Sequence, residues 1–373
     1  MRNIRNAHVL LIVFTLIMFY GCSQDELTII DDITVTNEIQ LNTVFNFIEI
    51  NDSYLLSGIN NSKITIYKLN VNFETIWKRD SFEWGTTFNE GGWGGSFYSV
   101  NIINIFSDNA GNYICFCLVE EGSCVISSSV LVIKLDKFGN EIKRTKLENT
   151  YIVDVAKTFD NGFLLAGDRL IKLNENFTQE WENNNQSYIF SGAKIIRTND
   201  QGFAITGTWD SKQVQLQKLD KNGIVLWTKT NFNQKPLDDF GFDLIQTGND
   251  GYFIIGRTRD ITYPWDMNCF LIRTDFSGDT LWTKKFGERY NEWLEDFLYS
   301  SDTAYIVKET IGFPIDSIHK TVLLKINSDG QLIESKETSF EELVFVSAGY
   351  FVKAEKINDN IIKLSKIQIN DLF

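Results

Sequence analysis

Apolar and polar residues in this chain alternate with period two, and tight-turn chemistry breaks the alternation at regular distances. In "LDKNGIVLWTK" (219–229) an apolar strand ends at Leu219, an Asp-to-Gly turn follows, and a second strand carries Trp227. The turn opens on Asp or Asn at Asn70, Asp136, Asn174, Asp220, Asp275, Asn327 and Asn370, a period of about 50 residues. The opening side chain caps the turn amides. Gly three residues on (Gly139, Gly223, Gly278, Gly330) takes positive φ cheaply, which predicts a three-residue hairpin with a bulge. Phe73 and Phe177 stand in that place in two repeats. Two residues before the turn lies a base: Lys68, Lys134, Lys172, Lys218, Arg273 or Lys325. Strand alternation points it out of the core, as a solvated position. Seven residues after the turn come Trp77, Trp181, Trp227 and Trp282, read as wedges between neighbouring sheets.

A second signature lies upstream, an aromatic residue opening a strand: Tyr54, Tyr113, Phe163, Phe203, Tyr252, Tyr305 and Tyr350. Turns such as "DNGF" and "NDGY" lead into it, so each repeat reads as four antiparallel strands. No stretch beyond the first residues sustains helical apolar spacing over three turns. The expected fold is all-β: a seven-bladed propeller of four-stranded antiparallel blades over 27–373. The last repeat reaches only its third strand at "IQINDLF". The stretch "LTIIDDITV" (27–35) is expected to supply the missing strand and close the ring, which removes two sheet edges.

The phrase L-D-x-x-G-x-x-x-W resembles the repeat of PQQ-like β-propellers, a group that includes quinoprotein dehydrogenases and an outer-membrane assembly lipoprotein scaffold. The adjacent cysteine pair that accompanies quinoprotein catalysis is absent, so no cofactor is expected. Trp209-Asp210 and Trp265-Asp266 imitate the WD dipeptide of WD40-like repeats, but they fall in the variable loop and are read as coincidence.

One long apolar run lies outside this pattern. Arg2 and Arg5 precede an apolar segment from Ala7 to Tyr20 and then Gly21-Cys22, the layout of a signal peptide over 1–21. It resembles a bacterial lipoprotein signal, which implies an acylated Cys22 (palmitate among its chains) and a tether over 22–26. The resemblance further implies an outer-membrane address from Ser23, and "SQDE" resembles a surface-export signal. The bilayer is then met through the acyl chains, with the protein facing the periplasm or the cell surface.

Past residue 21 the chain holds 33 Lys plus Arg against 49 Asp plus Glu, a net charge near −16. That balance excludes nucleic acid and adsorption to anionic lipid, both of which need a basic surface. The chain is expected to act as a monomer.

Five tryptophans fall off the repeat: Trp84, Trp93, Trp209, Trp265 and Trp293. Strand bookkeeping places all five in connections or second-to-third-strand loops on one side of the disc, opposite the tight turns. With Arg257 and Arg259 nearby, they form a candidate face for a glycan or an envelope protein, since indole stacks on sugars and donates a hydrogen bond. The alternative is that these indoles plug the central funnel. Nine residues before the aromatic signature, Asp154, Asp243 and Asp296 share one position on the innermost strands and are candidate channel carboxylates for a hydrolase or lyase, or for a cation. A scaffold within an outer-membrane complex is a third reading. His8 lies in the signal and His319 stands alone, so Ser-His-Asp and His-metal chemistry find no constellation. A hairpin turning at Glu120-Glu121 would set Cys117 opposite Cys124, which makes a disulfide possible.

Overall fold

A computed structural model describes residues 36–373 apart from short stretches, the longest of them 81–96, 184–190, 260–266 and 313–318. Trp209, Trp293 and Arg259 are described in their backbone alone. The described strands form seven four-stranded antiparallel sheets. β1 (Thr36–Ile39) is first in the chain but belongs to the last sheet. Blade 1 is β2 (Thr43–Glu49), β3 (Ser53–Asn60), β4 (Lys63–Asn70) and β5 (Thr75–Asp80). Blade 2 is β6 (Phe97–Ser107), β7 (Tyr113–Gly122), β8 (Ile126–Leu135) and β9 (Glu141–Leu147). Blade 3 is β10 (Ile152–Lys157), β11 (Phe163–Gly167), β12 (Leu170–Leu173) and β13 (Gln179–Asn183). Blade 4 is β14 (Ser191–Arg197), β15 (Phe203–Trp209), β16 (Gln213–Leu219) and β17 (Val225–Lys229). Blade 5 is β18 (Asp238–Gln246), β19 (Tyr252–Arg259), β20 (Met267–Thr274) and β21 (Thr280–Phe286). Blade 6 is β22 (Asn291–Ser300), β23 (Ala304–Gly312), β24 (His319–Asn327) and β25 (Leu332–Thr338). Blade 7 is β26 (Glu342–Val346), β27 (Tyr350–Asn358) and β28 (Ile361–Gln368), with β1 as its outer strand.

The first strand of each blade packs against the first strand of the next, and β26 returns to β2, so the blades form a closed ring. The closing strand is Thr36–Ile39, paired from Thr36↔Ser365 to Ile39↔Ile362, and it lies just past the expected 27–35, which is outside the described residues. All seven aromatic signatures sit at or next to the start of a second strand.

Turn chemistry behaves as the residue types require. The Oδ1 of Asp220 accepts the amides of Asn222 and Ile224, both at 2.8 Å, and Asp136 and Asn327 do the same in their own turns. Gly223 takes φ +79°, and a Cβ there would lie 2.5 Å from the indole of Trp181, on the outer strand of the preceding blade. Trp77, Trp227 and Trp282 seat in the same way against Gly139, Gly278 and Gly330 of the following blades. Trp77 also donates its Nε1–H to the Lys137 carbonyl at 3.0 Å.

At Lys172, Lys218 and Arg273 the basic residue before the turn is buried, not solvated. Lys218 is 2% exposed, and its ammonium donates to Asp200 at 3.0 Å and to the Leu219 carbonyl at 2.9 Å. Lys172 binds Asp160, Glu180 and its own turn in the same manner, and Lys134 meets Asp108 at 2.8 Å. Blades pack on both faces, so a middle strand has no water-facing side, and a charge there must find a partner. Each of these lysines ties the blade's two tight turns together. Desolvation pushes the Asp108 carboxyl up, but hydrogen bonds from Lys134 and Asn112 prevail and hold it at about 2.

The cysteine expectation also changes. β7 and β8 stay paired out to Gly122↔Ile126, so Cys117 stands opposite Leu131. Cys117 is a free, buried thiol, pushed up to about 12 by burial, and Cys124 is outside the described residues. The β7–β8 ladder runs further than a turn at Glu120 allows, and a longer ladder shifts every cross-strand partner.

Candidate functional site

Each innermost strand of blades 1 to 6 carries a β-bulge at one equivalent place, and a polar residue occupies it: Asn46, Asn104, Asp154, Lys194, Asp243 and Asp296. A bulge turns the backbone amide of the next residue inward, where the bulged side chain can reach it. Asp243 Oδ1 accepts its neighbour Leu244 N–H at 2.8 Å, while Oδ2 accepts Phe297 N–H of the next blade at 2.8 Å. Asp154 repeats the device on Val155 at 2.8 Å and on Ile195 of blade 4 at 3.0 Å. Asn46 and Asn104 donate instead, to the carbonyls of Ile103 (3.5 Å) and Val155 (3.4 Å), each in the following blade. The position is a belt of blade-to-blade clamps.

Lys194 completes the belt where an acid is missing. Its ammonium lies 3.9 Å from Asp154 Oδ2 and 4.0 Å from Asp243 Oδ1, so one cation bridges blades 3, 4 and 5. The field of Asp154, then those of Asp243 and Asp296, holds the Lys194 pKa above its ordinary value despite desolvation. Burial pushes the Asp243 carboxyl up to about 6, with Lys194 pulling against it and Asp296 adding to it. Asp296 keeps contact with solvent and is also raised, by desolvation first, against Lys194 and Lys308. The structure thus brings Asp154, Asp243 and Asp296 around a single lysine. Asp154 and Asp243 give both oxygens to backbone amides. Among the described residues no three His, Cys, Asp or Glu side chains converge as a metal-binding group.

The signal for Lys194 was present in the chain, because it also stands nine residues before an aromatic opener, Phe203. Its charge is opposite to that of the three acids, and a search for like residues passes over it.

The off-repeat residues lie elsewhere. Trp209 is the last residue of β15 and pairs with Gln213. Trp293 is third in β22, in register with Thr310, and so belongs to an innermost strand where a blade-to-blade connection was expected. The ten-residue β22 runs past its bulge far enough to take it in. Arg257 and Arg259 end β19, where the Arg257 guanidinium lies over the rings of Phe240 (4.9 Å) and Phe242 (5.5 Å). These strand ends share the side of the ring opposite the tight turns, as strand direction dictates. Trp84, Trp93 and Trp265 lie outside the described residues, as does Cys22.

No protein-family model matches the chain, and no curated protein sequence matches it. Solved structures do. The Dos1 propeller superposes with a TM-score of 0.52 at 10% identity, over 88% of this chain and 94% of that one. The WD40 domain of Neurospora crassa Pan2 gives 0.50 at 12% identity, over 88% and 91%. BBS1N, in its complex with ARL6DN, gives 0.50 at 9% identity, over 89% and 93%. The chain folds as a seven-bladed β-propeller. At these identities the likeness carries the fold, and the chemistry must be argued from the propeller's own residues.

Proposed function

We propose that this propeller is a non-catalytic binding module of the cell envelope, anchored by lipid at Cys22, that captures a protein or glycan on the side bearing the off-repeat tryptophans. One observation carries the reading. Polar groups that recur with the repeat are spent internally, in turn caps, lysine braces and channel clamps, whereas Trp209, Trp293, Arg257 and Arg259, which depart from the repeat, stand in strand ends on the opposite side. A rigid scaffold that presents non-repeating aromatic and guanidinium groups is a usual composition for a recognition surface. The BBS1N propeller, solved in complex with ARL6DN, is a precedent for protein capture on this fold. Within that fold the repeat phrase is read as PQQ-like, without the quinone chemistry.

Trp209→Ala combined with Trp265→Ala tests the reading. Envelope proteins crosslinked to the wild type, or glycans retained on an array, should be lost from the variant while its unfolding midpoint holds. Retention of every ligand would remove the proposal, and loss of glycans with retention of proteins would assign the ligand class. Asp243→Asn should leave that capture intact. The anchor has its own test: Cys22→Ala should move the protein from the membrane to the soluble fraction and remove the acyl mass.

A further inference from the structure

Fourteen large hydrophobic side chains of the described residues are exposed, and ten of them sit on the third-to-fourth-strand hairpins of blades 1, 2, 4, 5 and 6. Val71, Phe138, Ile224, Phe276 and Leu332 stand at or within two residues of the turn tips, with Phe138 66% exposed. Equivalent turns of a ring share one height, so these five side chains crown a single face, the tight-turn face. Blade 3 breaks the crown with Glu175 and Asn176. Blade 7 breaks it because its outer strand is β1. One from each of five blades, they offer the tight-turn face a ring of apolar contact points.

The entry of the chain says what covers it. β28 runs toward the tight-turn side, and β1 pairs with it antiparallel, from Thr36↔Ser365 to Ile39↔Ile362. Thr36 therefore begins β1 on the tight-turn side, the crowned face. The 14 residues from Cys22 to Val35 span at most about 50 Å. Resting on the reading of Cys22 as an acylated anchor, we infer that the tight-turn face seats on the bilayer that holds the anchor, its apolar tips entering the lipid interface. The off-repeat tryptophan side then faces away from the membrane, toward partners. Apolar tips that enter the lipid interface add a second membrane signal to the acyl chains. The net charge of the chain favours zwitterionic over anionic lipid.

The experiment uses the full acylated chain in phosphatidylcholine vesicles. An environment-sensitive fluorophore is placed at Phe138→Cys, on the crown, or at Asn360→Cys, in the β27–β28 turn on the opposite side. Brominated phosphatidylcholine should quench most of the emission at position 138 and none at 360. Equal quenching at both, or none at 138 while mass spectrometry shows the acyl chains at Cys22, overturns the inference and leaves the anchor standing. Absence of the acyl mass, with quenching at 138 kept when vesicles are added, removes the anchor and leaves the crown. Shielding of 138 without lipid, together with a doubled solution mass, replaces the bilayer by a second copy of the chain and also overturns it.

Discussion

Two seams of the ring solve one packing problem in opposite ways. Between blades 3 and 4, Trp181 projects from the outer strand of one blade onto Gly223 in the turn of the next. Between blades 2 and 3, the tryptophan position holds Lys143 and the glycine position holds Phe177. The ring of Phe177 is buried at φ +63° and packs beside Phe163, while Lys143 donates to the Asn176 carbonyl at 2.7 Å and lies over the Phe177 ring. The other non-glycine turn, Phe73, likewise follows a blade without a tryptophan, since the outer strand of blade 7 is β1. Gly therefore appears where the preceding blade sends an indole, and Phe where it sends none. The two apparent defects of the repeat are one compensated exchange: the seam needs an aromatic ring, and either neighbour can supply it. A crevice of about 330 Å3, lined by Asp108, Lys157, Glu175 and Asn176 among others, opens at the Phe seam.

The largest effect should come from emptying the Phe seam. Phe177→Ala is expected to cost about 3–5 kcal/mol in urea unfolding, because a fully buried ring leaves a cavity that blade 2 cannot fill with Lys143. Adding Lys143→Trp to Phe177→Gly should recover a good part of that loss. No recovery would break the comparison.

At the Trp seam the reciprocal experiment applies. Gly223→Ala places a methyl 2.5 Å from the Trp181 indole in a left-handed backbone. It should cost about 2–3 kcal/mol from overpacking and strain together. In a Trp181→Ala background the same change should cost only the backbone share, and the difference is a coupling energy between two blades.

The seams also have an inner end, in the channel, where pH reads them. The Asp243 carboxyl titrates at about 6 in the fold against 3.8 when unperturbed, so its ionisation weighs against folding. Its contribution is best below about pH 4 and worsens as pH rises through 6. Asp108 and Asp160, held at about 2, act the other way: their contribution is complete above about pH 4 and is lost as pH falls toward 2. Asp243→Asn should flatten the slope of stability between pH 4 and 6 by on the order of 1–3 kcal/mol and leave the acid arm unchanged.

The smallest effect sharpens the role of the lysine braces. Lys218→Met should cost about 1–2 kcal/mol, since Asp200 is well exposed and regains water. Lys68→Met should cost less, because among the described residues that ammonium only overlies the Tyr113 ring.

Much of this architecture was legible residue by residue. Asn70, Asp136 and Asp220 predict their turns because an Asx side chain caps amides two and four residues away, a purely local event. Seven aromatic openers count seven blades for the same reason. The errors share a cause too. Lys172 and Lys218 read as solvated because alternation reports which side of a strand a residue takes, and both sides of a blade are covered. Trp293 read as a connection because a strand end is set by its partner, here β23. Lys194 carries no local signal of its bridging role, because its meaning comes from two acids about 40 and 50 residues away in sequence.

By itself the chain determined the period, the strand class, the turn types and the number of blades, since each depends on groups within about five residues of one another, through φ preference, side-chain capping and alternation. Tertiary structure alone decided that a tryptophan belongs to the glycine of the next blade, that the ring closes through Thr36–Ile39, and that three carboxylates surround one lysine. Those outcomes depend on contacts between blades roughly 50 residues apart, and ring closure is what brings such distant groups within van der Waals reach.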